Sequence, residues 1–135
     1  MASESSSGEL PLKTEHDIVL GRQAVRRLSQ QLGFSLVDQT KIVTATSELA
    51  RNAVIYGGGG TMKWETPQNG IKRGLRLTFE DQGPGIANLD LAMTDGWSSG
   101  NGMGLGLTGA QRLVNEFEIA STVGVGTRVT VTRWK

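Results

Sequence analysis

Apolar residues along the chain fall into two rhythms. Ile18, Val19, Ala24, Val25, Leu28 and Leu32 recur at the three-to-four spacing of a helix, and Gly33 stands at the C′ position that stops one. Asp17 is the expected N-cap of this helix. A second helix is expected from Ser35, with Asp38 three residues on as a short-armed capping box. It carries Ile42, Val43, Leu49, Ala53 and Val54, and the run Gly57–Gly60 ends it. The rhythm then alternates. Thr61–Thr66 reads as a strand, Pro67–Gly70 as a turn and Gly74–Glu80 as the partner strand. Leu75, Leu77 and Phe79 share one face of that strand; Arg76, Thr78 and Glu80 share the other. Gln82–Gly102 has no period, and a structureless stretch of roughly twenty residues is often a lid over a site. A third helix is expected over about Met103–Glu116, then a closing hairpin, Phe117–Thr122 with Thr127–Trp134, around Gly124–Gly126.

At the other end, Leu10–Lys13 fits a short edge strand, and the small polar residues before it read as a disordered leader over 1–9. Residues 10–135 form the single expected domain. Helices first, then strands, with one helix before the last hairpin, predict an α+β fold. It is a two-layer sandwich of one mixed β-sheet covered on one face by three helices.

Composition narrows the function. The 19 glycines among 135 residues are about twice the usual ~7%, and many lie in the segments considered next. A net charge of +1, with no basic run beside aromatic residues, argues against a nucleic-acid partner. Without cysteine there are neither disulfides nor thiolate metal sites, and His16, the lone histidine, makes a histidine metal site or a Ser-His-Asp triad a poor expectation. No window is long and apolar enough to span a bilayer and the N-terminus lacks a secretory pattern, so a cytoplasmic protein with no membrane partner is expected.

Three segments carry candidate chemistry. Glu48 and Asn52 stand four apart and leave one helix face together. They suit a proton acceptor and an oxygen ligand for Mg²⁺. Asp81-Gln-Gly-Pro-Gly85 follows a strand: the carboxylate can accept from the amino group of adenine, while Gly83 and Gly85 permit a tight turn on which a base can lie. Gly102, Gly104, Leu105, Gly106 and Leu107 open a helix whose glycine-spaced N–H groups suit a phosphate chain. That segment lacks the flanking strand of a dinucleotide fingerprint and the Gly-Lys-Ser/Thr of a Walker A loop. Late in the chain, the Thr127 hydroxyl could reach the adenine edge. Singly, each segment also reads as ordinary structure: a solvated Glu and capping Asn, a turn, a linker, a hairpin. Arg51 suits phosphate or solvent equally. In this order on one short chain, they point to an ATP site.

The three segments resemble the N, G1 and G2 boxes of the ATP-binding fold shared by DNA gyrase, Hsp90, histidine kinases and MutL, the GHKL superfamily or Bergerat fold. Thr127 falls on its late threonine, and the likeness covers nearly the whole chain after residue 10. Within that superfamily the chain is similar to the small serine/threonine kinases of bacterial partner-switching systems, above all stressosome switch kinases of the RsbT type. The stretches concerned are Glu15–Val19, Leu32–Phe34, Ser47–Asn52, Glu80–Gly85, Asn115–Phe117, Gly124–Thr127 and Arg133-Trp134. Tyr56 and four glycines follow the first box, where sister anti-sigma kinases often carry a His.

The resemblance implies an ATP- and Mg²⁺-dependent kinase that phosphorylates STAS-domain scaffold or antagonist proteins. Once released from them, it would bind and activate a PP2C-type phosphatase. It implies Glu48 as catalytic base, Asn52 as Mg²⁺ ligand and Asp81 as reader of adenine. Gly83 and Gly85 would shape the base pocket, and the Gly102–Leu107 loop would close over the phosphates. An anti-sigma factor with kinase activity on a STAS protein is the alternative. An exposed sheet edge could serve a homodimer or a partner. The Gly57–Gly60 run has no part in this picture.

Overall fold

The computed structural model describes residues 6–93 and 103–135, the side chains of 103–105 excepted. Helix α1 spans Glu15–Gln31, and its cap is Thr14, not Asp17. The Asp17 carboxylate reaches back to accept from the N–H groups of Lys13 (2.8 Å) and Thr14 (3.1 Å), while Thr14 Oγ1 accepts from Asp17 N. Asp17 therefore sits inside the first turn, as the far half of a capping box. Leu32 closes the helix and Gly33, at φ 81°, turns the chain out of it.

Helix α2 (Leu36–Arg51) is capped by Ser35, whose hydroxyl accepts from Asp38 N at 3.1 Å. The reciprocal half of the expected box is replaced by a long-range pair: Arg133 Nη2 donates to Asp38 Oδ1 at 2.6 Å. The helix does not stop at its last α turn. It widens into a π turn over Asn52–Tyr56, closed by Gly57 N donating to Asn52 O at 2.9 Å. Such turns recur inside helices at functional sites.

The strands are β1 (Ser7–Leu12), β2 (Gly60–Glu65), β3 (Gln68–Asn69), β4 (Lys72–Asp81), β5 (Glu116–Thr122) and β6 (Gly126–Trp134). They form one sheet in the order β1-β2-β4-β6-β5, with β3 paired to β4 alone. Every pairing is antiparallel, which corrects the expected mixed sheet. A parallel neighbour needs a crossover connection that returns the chain to the same end of the sheet, usually through a helix. Here two helices separate β1 from β2, and two helices and β5 lie between β4 and β6, and each chain return is reversed.

The leader expectation is also corrected at its end. Ser7, Gly8 and Glu9 pair with Glu65, Trp64 and Lys63 and belong to β1. Ser7 and Glu9 are exposed and Gly8 has no side chain to bury; backbone pairing, which polarity does not reveal, holds them. Two short elements were not expected: β3, and α3 (Leu89–Ala92), capped by Asn88. Helix α4 (Met103–Gln111) ends before the expected Glu116, because that residue already starts β5.

One face of the sheet, through Met62, Leu75, Leu77, Phe79, Val129 and Val131, shares a core with Val25, Leu28, Ile42, Leu49 and Leu107 of the helices. This is the α+β two-layer arrangement. The opposite face carries exposed pairs such as Lys63–Glu80 and Arg76–Glu65, which contribute little to stability. Among the described residues, no helix is long and apolar enough to cross a membrane.

The Arg133 hydrogen bond holds the Asp38 carboxyl below its ordinary range. A depressed folded-state value gives stability that is present above the unfolded pKa and lost as pH falls through the folded one. Arg133→Leu should therefore cost about 1–2 kcal/mol near neutral pH. In urea titrations its deficit against wild type should narrow below about pH 4. A deficit unchanged between neutral and acid pH would contradict this assignment.

Candidate functional site

A cavity of about 440 Å³ opens where α2, the ends of β4 and β6, and α4 converge. Leu49 and Ala53 line it from the helix and its π turn, Phe79 and Val129 from the sheet, Leu107 from α4 and Ile86 from the segment after β4. These apolar walls carry three polar side chains expected from the sequence: Asn52, Asp81 and Thr127. A mostly apolar slot with few placed polar groups is the form taken by small-molecule sites.

Asp81 ends β4, and its Oδ1 accepts from Gly83 N at 2.9 Å. Burial pushes the Asp81 carboxyl above its ordinary value, while the N–H groups of Gly83 and Thr127 pull against that shift. An acceptor is thus kept in a partly dry place, where a donor brought by a ligand gains most. Gly85 has φ 78°, and a Cβ there would run into Thr122 O, so the turn after Asp81 lies directly against the β5–β6 hairpin.

Thr127 pairs with Asp81 across β4–β6, and its hydroxyl lies 2.8 Å from Ser121 Oγ. Ser121 also accepts from Ile86 N at 2.7 Å, so one buried-side hydroxyl ties the pocket turn to the hairpin. Sequence reasoning passed over Ser121. The signal was present: along β5, Phe117, Ile119 and Ser121 point inward, and a hydroxyl breaks the apolar alternation. Tyr56 and Gly57 were likewise missed as cavity walls.

Glu48 and Asn52 lie together against α4. A Cβ on Gly106 would come within 3.0 Å of Glu48 Oε2 and 3.5 Å of Asn52 Oδ1, so the glycine lets α4 approach this face of α2. Asn52 Nδ2 is buried with no hydrogen-bond partner. A buried orphan amide in a cavity wall fits a site that takes a polar ligand. No group of three His, Cys, Asp or Glu side chains gathers among the described residues. A divalent ion here would need ligands brought by its substrate, and phosphate oxygens beside the Asn52 carbonyl suit Mg²⁺. Glu48, one turn earlier, stands outside the cavity walls.

Gly104 and Leu105 lie within α4, and Leu107 is buried in the cavity wall. The expected phosphate loop is therefore helical from Met103 onward, and most of its N–H groups belong to the first turn, where a helix offers them no acceptor of its own. Gly102 lies outside the described residues.

Residues 37–135 match the family described as histidine kinase-, DNA gyrase B-, and HSP90-like ATPase, and the chain belongs to it. It is 45% identical to the serine/threonine-protein kinase RsbT of Bacillus subtilis, over 91% of this chain and 92% of that protein. It is 32% identical to the anti-sigma F factor of Clostridium kluyveri, over 80% of this chain and 79% of that one. In structure it resembles the RsbU and RsbW domains of Rv1364c from Mycobacterium tuberculosis, with a TM-score of 0.66 at 22% identity. That likeness of fold takes in 98% of this chain and 33% of the other.

The raised value of Asp81 has a consequence for stability. A folded-state pKa above the unfolded one gives stability that is present below the unfolded value and lost as pH rises through the folded one. At pH 7 the ionised Asp81 therefore weakens the fold. Asp81→Asn should melt at or above the wild-type temperature at pH 7, and the two should converge near pH 3. A variant melting well below wild type at pH 7 would show the carboxylate to be a structural anchor instead.

Proposed function

We propose that the chain is an ATP-dependent serine/threonine protein kinase of a bacterial partner-switching pathway. The observation that carries this reading is the pairing of a partly dried acceptor, Asp81, with a buried orphan amide, Asn52, on the helix that carries Glu48. Adenine enters the apolar slot and donates its 6-amino group to Asp81, with Thr127 beside it. Gly83 and Gly85 let the base lie close to backbone. The triphosphate runs toward Asn52 and the N-terminal end of α4, where Gly102, Gly104, Leu105, Gly106 and Leu107 form the phosphate side. Asn52, through its side-chain carbonyl, would help hold Mg²⁺, and the ion when bound would supply charge neutralisation for the transferring group.

Glu48 is the catalytic base. A serine or threonine hydroxyl of a STAS-domain protein attacks the γ-phosphorus, and the bond to the β-phosphate oxygen breaks. Glu48 accepts the hydroxyl proton, and ADP leaves with the phosphoprotein. Phosphorylation of the scaffold or antagonist frees the kinase to bind and activate a PP2C-type phosphatase in the cytoplasm. The alternative, an anti-sigma factor, uses the same site. The higher identity to RsbT, 45% against 32%, favours the kinase of the switch. A free sheet edge at β1 or β5 would serve a homodimer or the partner.

With labelled ATP, Mg²⁺ and a STAS-domain protein, Glu48→Gln should lower transfer by about 10²-fold or more while ATP affinity stays unchanged. Full transfer by this variant would remove Glu48 from the mechanism. Asn52→Ala should weaken Mg-ATP binding about tenfold or more, and an unchanged affinity would remove its assigned part. Capture of a sigma factor without capture of a PP2C-type phosphatase would favour the anti-sigma reading.

A further inference from the structure

Gly57 closes the π turn after α2 with φ −86°, a conformation open to any residue. Space, not backbone conformation, requires glycine there. A Cβ on Gly57 would overlap Asp81 Cγ and lie 2.6 Å from both Asp81 Cβ and Oδ2. On the other side, a Cβ on Gly83 would lie 2.7 Å from both Cα and O of Gly57. The Gly57 backbone is thus held between the Asp81 side chain and the Gly83 backbone. Asp81 Oδ1 is fixed by Gly83 N, while the rest of the carboxyl rests on the bare Cα of Gly57. A methyl group at position 57 cannot push Gly83 away without moving the donor that holds Asp81, so the carboxylate itself must turn out of place.

We propose that Gly57 is a positioning residue for purine discrimination: its missing side chain holds the Asp81 carboxylate where it accepts from a purine 6-amino group. This inference rests on the reading of the cavity as an adenine site. Gly58 supplies the control within the same run. It has φ 72°, so any side chain strains it, yet a Cβ there meets nothing within 4 Å. Substitution at position 58 strains the turn without touching Asp81.

The test compares binding of ATP with that of purine riboside triphosphate, which has hydrogen in place of the 6-amino group, to the full chain with Mg²⁺. Wild type should prefer ATP by about 10–100-fold, the worth of one hydrogen bond to a charged acceptor. Gly57→Ala should bring that preference to about threefold or less, with purine riboside triphosphate binding largely kept. Gly58→Ala should keep the wild-type preference while melting at a lower temperature. A wild-type preference in Gly57→Ala overturns the proposal, and so does an equal loss of preference in both variants, which would mean general strain. No preference in wild type would overturn the adenine reading of Asp81 and this inference with it. Should Gly57→Ala fail to fold, Gly57→Ala/Asp81→Gly is the second measurement. Recovery of cooperative unfolding supports the contact, and a double variant as unfolded as the single one overturns it.

Discussion

The cavity depends on one close approach: the backbone leaving α2 meets the backbone leaving β4 with no side chain between them. Gly57 and Gly83 touch, and the Asp81 carboxylate is folded into that contact. Everything else on the site is hung from the two elements so joined. Helix α2 supplies Glu48, its π turn supplies Asn52 and β4 supplies Asp81, while the neighbouring β6 brings Thr127 into register beside Asp81. Were the junction bulkier, α2 would stand off the sheet and the apolar slot would lose its floor.

The contact also explains a tension between stability and use. An aspartate pressed against bare backbone loses water faster than two N–H groups can compensate, and its carboxyl shifts upward. An isosteric amide would suit the fold better. An acid at this place fits the proposed role of a charged acceptor for a ligand's donor. The orphaned Asn52 amide is a second departure of this kind. Local choices that burden the fold tend to gather where ligands bind, and here both stand in the walls of one cavity.

Much of this was legible in the sequence. The helical spacing of α1 and α2, the strand faces of β4 and the closing hairpin all follow from patterns that the core enforces. Asp81, Asn52 and Thr127 do converge on one cavity, the first and last as a cross-strand pair of β4 and β6 and Asn52 from the π turn beside them. What escaped depends on distant pairing. The strand Ser7–Glu9 is held by β2, not by its own apolarity. The antiparallel direction of every pair depends on which strands become neighbours, β1 with β2 and β4 with β6, and the order of elements along the chain does not state that. Asp38 answers to Arg133, far along the chain, and not to its own cap. The Gly57–Gly60 run looked like a helix stop; its first glycine is a wall of the site, because an aspartate from another strand lies on it.

The fold and the family are those of an ATPase domain that is here a nearly whole chain in its RsbT relative, 92% of which is matched. The cavity is lined from α2 and its π turn, from β4 and β6 and from α4, so the helix that carries Glu48 forms one of its walls. The most direct measurement is calorimetric titration of the folded chain with ATP, with and without Mg²⁺, and with GTP. The account predicts saturable, Mg²⁺-strengthened uptake of ATP and little uptake of GTP, whose 6-oxo group meets Asp81 as acceptor against acceptor. No uptake of ATP, or GTP bound as tightly as ATP, would contradict it.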